Sequence, residues 1–488
     1  MRFYTFLILL LWTTFAYSQV GINTPNPHVS AALEIQSGTG PKGILIPRMT
    51  TLERNSINNP AESLLVYDLT DKAFYYYNTV SLSWVKLSSD LSGTRNNFKI
   101  IKSVSDLAPE LAAGGGSSYL LDTNKYYEIN GTITLNFPIN LNDAYVSGLD
   151  ANEDVLSFPG GTVFRGNTGG SIRNVTITGA RAFEITGLGA TSNSSLLIQN
   201  TVVQNTTTSV GTISGLGLYF GNIVNFINNT NGITYSNIGN LLLNTQAWLD
   251  TNNGTFETFT GTFGHIQKAS GFSNVNGSDV ALDVSNSLNV GTGILQGTVF
   301  SGTTSAPSGI IKGYSTGTYP GYYFSNAWTV DAPGISRESD DAATGDINLS
   351  AAVGTGFTTT FTTTGTAGRK KITGTTTSNN LFRFTRDGDN IITYRGNKTR
   401  YFQVAGSVSY QGNSDLTVIL YIAKNGVVIN ETKVYGKGTT GLFTTSGILA
   451  LPIVGTVQLK KDDYIEIWAE RYDGTGNMQT VSLNLTAR

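Results

Sequence analysis

Residues 222–244 read NIVNFINNTNGITYSNIGNLLLN. Short apolar clusters rich in Ile, Val and Leu alternate with Asn and Gly every few residues. That texture signals brief strands joined by tight turns. It continues on both sides: YYEINGTITLN at 126–136, DVLSFPGGTVFRG at 154–166, SIRNVTITGARAFEITG at 171–187, SLLIQNTVVQN at 195–205 and VALDVSNSLNVGTGILQGTVFSG at 280–302. One pattern recurs within the series: an Ile, any residue, an Asn, then an apolar strand. It falls at Ile172/Asn174, Ile198/Asn200, Ile223/Asn225 and Ile238/Asn240, with Ile offsets of 26, 25 and 15. The first two offsets suit one coil of a parallel β-helix, which needs three short strands and three turns; the third breaks the period.

A single coil cannot bury its inward side chains, whereas stacked coils build a continuous core with backbone hydrogen bonds running along the axis. Asn side chains repeated at the turns can bond one another up the stack, as in other cross-strand ladders. NGTITL, GTVFRG and SIRNVTITGA resemble the right-handed β-helices of phage tailspikes and pectin-degrading enzymes, over about residues 100–320.

The whole chain fits this reading. At 488 residues it exceeds one compact core. Charged residues make up only 13%, glycines number 56 and hydrophobic residues reach 39%. These values suit many strands and turns better than disorder or a helical enzyme. A net charge of −2 without a basic run points away from nucleic acid and from an anionic membrane surface. With no Cys and two distant histidines, His28 and His265, there is no disulfide and little material for a zinc site or a Ser-His-Asp triad.

Beyond the coils, residues 401–410 alternate cleanly: Tyr401, Gln403, Ala405, Ser407 and Ser409 against Phe402, Val404, Gly406, Val408 and Tyr410. KNG at 424–426 is a hairpin turn. Together with VQLKKDDYIEIWAE at 457–470, the order resembles the C1q/TNF-like jelly roll, with Lys461-Asp462 where that family commonly has Gly-Asp. The resemblance covers about the last 110 residues and implies a recognition head that forms a trimer.

The N-terminal region reads as an export signal: Arg2, the apolar run FLILLLWTTF at 6–15, and the small residues Ala16 and Ser18 at the −3 and −1 positions. It is too short for a comfortable membrane span, and no later apolar run is longer. Residues 19–87 then combine several prolines, a short helical stretch near residues 50–58, and a β-meander, LLVYD, AFYYYN and SWVKL. The blocks QVGINTPNPHVSAALEI, KGILIPRMTTLERNSINNPAESLLVYDLTDKAFYYYN and WVKL resemble an N-terminal module of secreted and surface proteins of Bacteroidetes, flavobacteria above all. That resemblance implies an extracellular address and no particular chemistry.

Chemistry-bearing motifs are sparse. A glycosidase needs two placed carboxylates. The middle segment offers only scattered ones: Glu128, Asp143, Asp150, Glu153, Asp154, Glu184, Glu257, Asp279 and Asp283. Asp340-Asp341 reads as a solvated linker. Asp387-Gly388-Asp389-Asn390 reads as a hairpin turn, with a calcium loop as the alternative. The aromatic run at 74–77, followed by Trp84, places Tyr75 and Tyr77 on one strand face. Packing within the hairpin is the favoured reading there, and sugar stacking the alternative.

The sequence therefore predicts an all-β protein in four parts: a signal peptide (1–18), a small N-terminal surface-protein module (19–96), a right-handed parallel β-helix-like shaft (97–331) and a C-terminal jelly-roll head (332–488). The expected function is adhesion or recognition outside the cell, after cleavage near Ser18, by a homotrimer binding a glycan or another cell's surface. Tyr75, Tyr77 and Trp84 are the candidate ligand-binding side chains. No catalytic or metal residue and no cofactor is assigned, calcium being the one left open, and no nucleic-acid partner or membrane span is expected in the mature chain. Two readings from other classes stand beside it: a tailspike-like polysaccharide lyase or glycoside hydrolase, and a structural subunit of an extracellular filament or phage-like particle.

Overall fold

The computed structural model describes residues 19–87, 97–286, 288–438 and 447–488, so the expected signal peptide lies outside the described residues. The chain divides after residue 96 into two compact units.

In the first unit, Val20–Ile22 pairs in parallel with Leu33–Ile35. A one-and-a-half-turn helix, Thr51–Asn55, starts where Thr50 and Glu53 form a capping box, each side chain bonding the other's backbone N–H. It precedes an antiparallel meander of Leu65–Asp68, Ala73–Asn78 and Ser83–Lys86. Arg48–Met49 adds a parallel strand to its edge.

The second unit opens with a parallel β-helix. From Phe98–Ile101 to Trp328–Asp331 the strands pair in parallel with those one coil away. Each wall is a column of inward side chains set by register. One column runs Val203, Phe226, Trp248, Ser273, Phe300. Another runs Ile185, Ile213, Tyr235, Phe259. Alternation at period two sends these residues inward, and stacking buries them. Ile172 and Ile198 are in register and fully buried, as the Ile-x-Asn pattern implies.

The pattern then loses its frame. Asn200 falls opposite Ile223, not Asn225, because Gln199 pairs with Asn222 and Thr201 with Val224. Both occupy a corner in the left-handed backbone region. The same corner holds Asn174, Asn200, Ile223, Thr245, Ser270 and Gly297, with φ between 48° and 68°. A corner needs positive φ, which Gly and Asn tolerate best, but other residues can be forced into it. The coils are therefore 22–27 residues long, and the corner conformation, rather than any one residue, marks the repeat.

At a second corner, Asn229 and Asn252 form a buried ladder. The Asn229 amide donates to Val203 O (3.0 Å) and to Asn252 Oδ1 (2.9 Å), and its own Oδ1 accepts from Thr206. Asn252 in turn donates to Phe226 O and Leu249 O. The turns of adjacent coils are thus tied where the ladder of backbone bonds is interrupted.

A β-helix must close its ends, because an open coil exposes both its core and its unpaired backbone. At the first end the helix Ala108–Ala113 provides cover, its buried Glu110 bonded to Lys99 (2.6 Å) and to the Tyr127 hydroxyl (3.0 Å). At the other, Phe324 and Trp328 fill the core, with Trp328 Nε1 donating to Tyr314 Oη (2.9 Å).

From Gly345 onward the pairing becomes antiparallel. One sheet has the order Gly345–Ser350, Met478–Ala487, Arg400–Gln411, Ile448–Leu459. The other has Ile391–Tyr394, Tyr464–Asp473, Thr417–Lys424, Val434–Lys437. Taking these eight strands in chain order, the first, eighth, third and sixth make one sheet and the second, seventh, fourth and fifth the other. That order is the jelly roll. Asn425-Gly426 turns with φ of 52° and 76°, as a two-residue hairpin requires. Asp462 takes φ 69° in the turn that leads into Tyr464–Asp473.

The linker reading of Asp340-Asp341 is overturned for Asp340. Its carboxylate is buried against Arg383 and accepts the Asn397 and Lys398 N–H groups (3.0 and 2.7 Å), while Asp341 is exposed. Arg383 also donates to Trp328 O (2.6 Å) in the last coil. The chain passes from coil to sandwich through a buried polar seam.

Candidate functional site

Tyr75, Tyr77 and Trp84 do share a face, because Tyr77 pairs with Trp84 across two strands. Their rings are already in contact, Tyr77 and Trp84 edge to face at 5.4 Å. Tyr75 is 8% exposed, and the Arg54 guanidinium lies 3.8 Å from its ring centre. Arg54 reaches it from the short helix and is held by Asp68 (3.0 Å). Asp68 in turn accepts Thr51 Oγ1 and the Thr70 and Asp71 N–H groups. One face of Tyr75 is thus occupied by a cation, a contact that strand alternation alone does not reveal.

Of the scattered carboxylates of the β-helix, Asp154, Glu184, Glu257, Asp279 and Asp283 are engaged in structure. Asp154 accepts the N–H groups of Gly131, Leu149 and Asp150; burial alone would raise its pKa, but these bonds hold it below the usual carboxylate range. Glu184 pairs with Arg165 (2.6 Å), and Asp283 with Ser285 and Lys312. Asp279 accepts the Gly254 N–H (2.7 Å). Glu257 lies in the core, 3.0 Å from Lys268 Nζ, both side chains 1% exposed. Burial raises the Glu257 pKa against the pull of the lysine. In the hairpin at 386–390, Asp387 and Asp389 contact Arg395 and Arg386. Among the described residues no group of three His, Asp or Glu side chains is placed to hold a metal ion.

A cleft of about 860 Å³ lies where the last coil meets the sandwich. One wall is the loop carrying Tyr319 and Tyr322. The other is formed by residues 377–386, including Asn379, Asn380 and Arg386. Tyr322 stacks on Phe382 at 3.9 Å and Tyr319 meets it edge-on at 5.4 Å, which leaves Phe382 1% exposed. The loop is pinned from behind. The buried Glu338 carboxylate accepts the Tyr323 and Phe324 N–H groups at 2.7 and 2.9 Å. Burial pushes its pKa up to about 7, against the opposing effect of those two bonds. The sequence signal for this wall is GTYPGYYFSNAW at 317–328, which places five aromatic residues within the ten positions from Tyr319 to Trp328.

Residues 21–100 match the family described as the phage tail like trimerisation region. No curated protein matches the chain. Among solved structures, the Eiger TNF from S. frugiperda is similar at 10% identity over 30% of this chain and 92% of that one, with a TM-score of 0.20. No described helix is long and apolar enough to cross a membrane.

Proposed function

We propose that the chain is a trimeric tail-fibre or tailspike-type protein, acting outside the cell, whose β-helix and jelly roll attach to a surface glycan. The observation that carries this reading is a pairing on one chain: a segment matching a phage tail like trimerisation region, and a continuous parallel β-helix sealed into a sandwich. The physical logic is that a stiff element displaying a recognition domain in several copies gains avidity from individually weak sites. This reading joins the adhesin expectation to that of a phage-like particle subunit. Native mass spectrometry of the full chain tests it. The expected mass is three times that of the chain measured, 52.1 kDa for the 488 residues; a stable monomer at micromolar concentration would sink it.

A further inference from the structure

We infer that the cleft between the last coil and the jelly roll is a saccharide subsite, and that the sugar it takes carries a carboxylate or sulfate. The inference rests on the attachment reading above and names where and what the chain would bind. Sugar sites combine an aromatic surface for the apolar C–H face with planar amides and a few charged groups for the hydroxyls. This cleft has all three. Tyr319 and Tyr322 are half-buried, fixed against Phe382, and border the open volume.

The amides of Asn379 and Asn380 line the opposite side. Their backbone N–H groups are held by Asp346 Oδ1 (3.2 and 2.7 Å), which orients the turn. Their side-chain carboxamides make no hydrogen bond among the described residues. The buried Ser378 Oγ beside them likewise has no partner. Polar groups left unpaired at a concave surface are poised for a ligand's hydroxyls.

Charge sets the class of sugar. Arg386 is the one ionisable residue other than the tyrosines that lines the cleft, and its contact to Asp389 is long at 3.4 Å. A guanidinium in that position favours an anionic group, which it can hold with two parallel hydrogen bonds. Length follows from the neighbouring groove of about 680 Å³, which shares Thr344, Asn379 and Asn380 with the cleft and continues past Gln403 and Asn484. Several linked sugar units fit the two together.

The test is a glycan array holding acidic surface-polysaccharide fragments and their uncharged counterparts, probed with the full chain and with Tyr322→Ala, Asn380→Ala and Arg386→Gln. The wild type should prefer acidic members. Arg386→Gln should lose about tenfold in affinity together with that preference, and Tyr322→Ala should weaken all binding. Asn380 and Arg386 are surface side chains, so their variants remain informative if Tyr322→Ala unfolds the loop. Wild-type binding left unchanged by all folded variants would overturn the cleft and leave the attachment reading standing. A wild-type trimer that bound no member would overturn both.

Discussion

The guanidinium of Arg383 is paired with the carboxylate of Asp340 at side-chain exposures of 3% and 4%, and the same guanidinium donates to the Trp328 carbonyl. Three segments remote in sequence therefore share one buried charge pair: the last coil, the passage out of it and the sandwich. Burying both ions is costly, but removing one leaves the other uncompensated, which typically costs about 3–5 kcal/mol. Arg383→Met is expected to lower the unfolding midpoint of the full chain by a corresponding amount and to open residues 332–344 to limited proteolysis. A variant as protease-resistant as wild type would show that the seam is held by other contacts.

A second expectation has the opposite sign. Ile223 is β-branched, 44% exposed and held at φ 55°. The left-handed region costs such a residue about 1–2 kcal/mol, a penalty that Asn largely escapes. Asn200 already fills the equivalent corner one coil earlier. Ile223→Asn should therefore raise thermal stability by about 1 kcal/mol, read as an upward shift of the melting transition. A drop would mean that packing of the Ile223 side chain outweighs the backbone strain.

These two sites show what the sequence disclosed. Local chemistry was legible: the Asn425-Gly426 turn, the short helical stretch near residues 50–58, and the period-two alternation through residues 401–410. So was the coil architecture, because Asn174 and Asn200 mark a corner that Asn prefers. The register was not legible past residue 200, since Ile223, Thr245 and Ser270 take the same corner without any residue signature, in coils of unequal length. Nor was the burial of Asp340, whose partner lies 43 residues away. The cleft was hidden for a related reason. Its two walls are sixty residues apart, and only the fold turns Tyr322 and Arg386 toward one volume.

The interior pair Glu257–Lys268 yields a third prediction. Register sets Lys268 between Leu243 and Leu295, and Glu257 between Ile233 and Leu282, so each charge has an apolar neighbour above and below. Lys268→Met alone strands a carboxylate that also has an unpartnered Oε2, and should cost about 3 kcal/mol or more. Lys268→Met with Glu257→Leu continues both apolar columns and should recover most of the loss. Chemical denaturation of the three proteins separates these outcomes. A double variant no more stable than the single would show that the pair contributes more than mutual neutralisation.

Glu338 makes the behaviour of the tyrosine loop depend on pH. Its carboxyl, fully buried, titrates near 7 in the fold and near 4.5 in the unfolded chain. Between those values the folded chain keeps a proton that the unfolded chain has released, so the stability it confers is complete below about pH 4.5 and declines as pH rises to about 7. The shift corresponds to about 3 kcal/mol. Glu257, raised in the same direction, adds to the decline, whereas Asp154 and Asp283 are lowered and act only at more acidic pH. Glu338→Gln removes the titration while keeping one carbonyl oxygen to accept from Tyr323 or Phe324. Unfolding midpoints of wild type should fall between pH 4.5 and pH 7.5, and the Gln variant should show a clearly smaller fall. Parallel profiles for the two proteins would place the pH sensitivity elsewhere and show the Glu338 carboxyl titrating as it does in the unfolded chain.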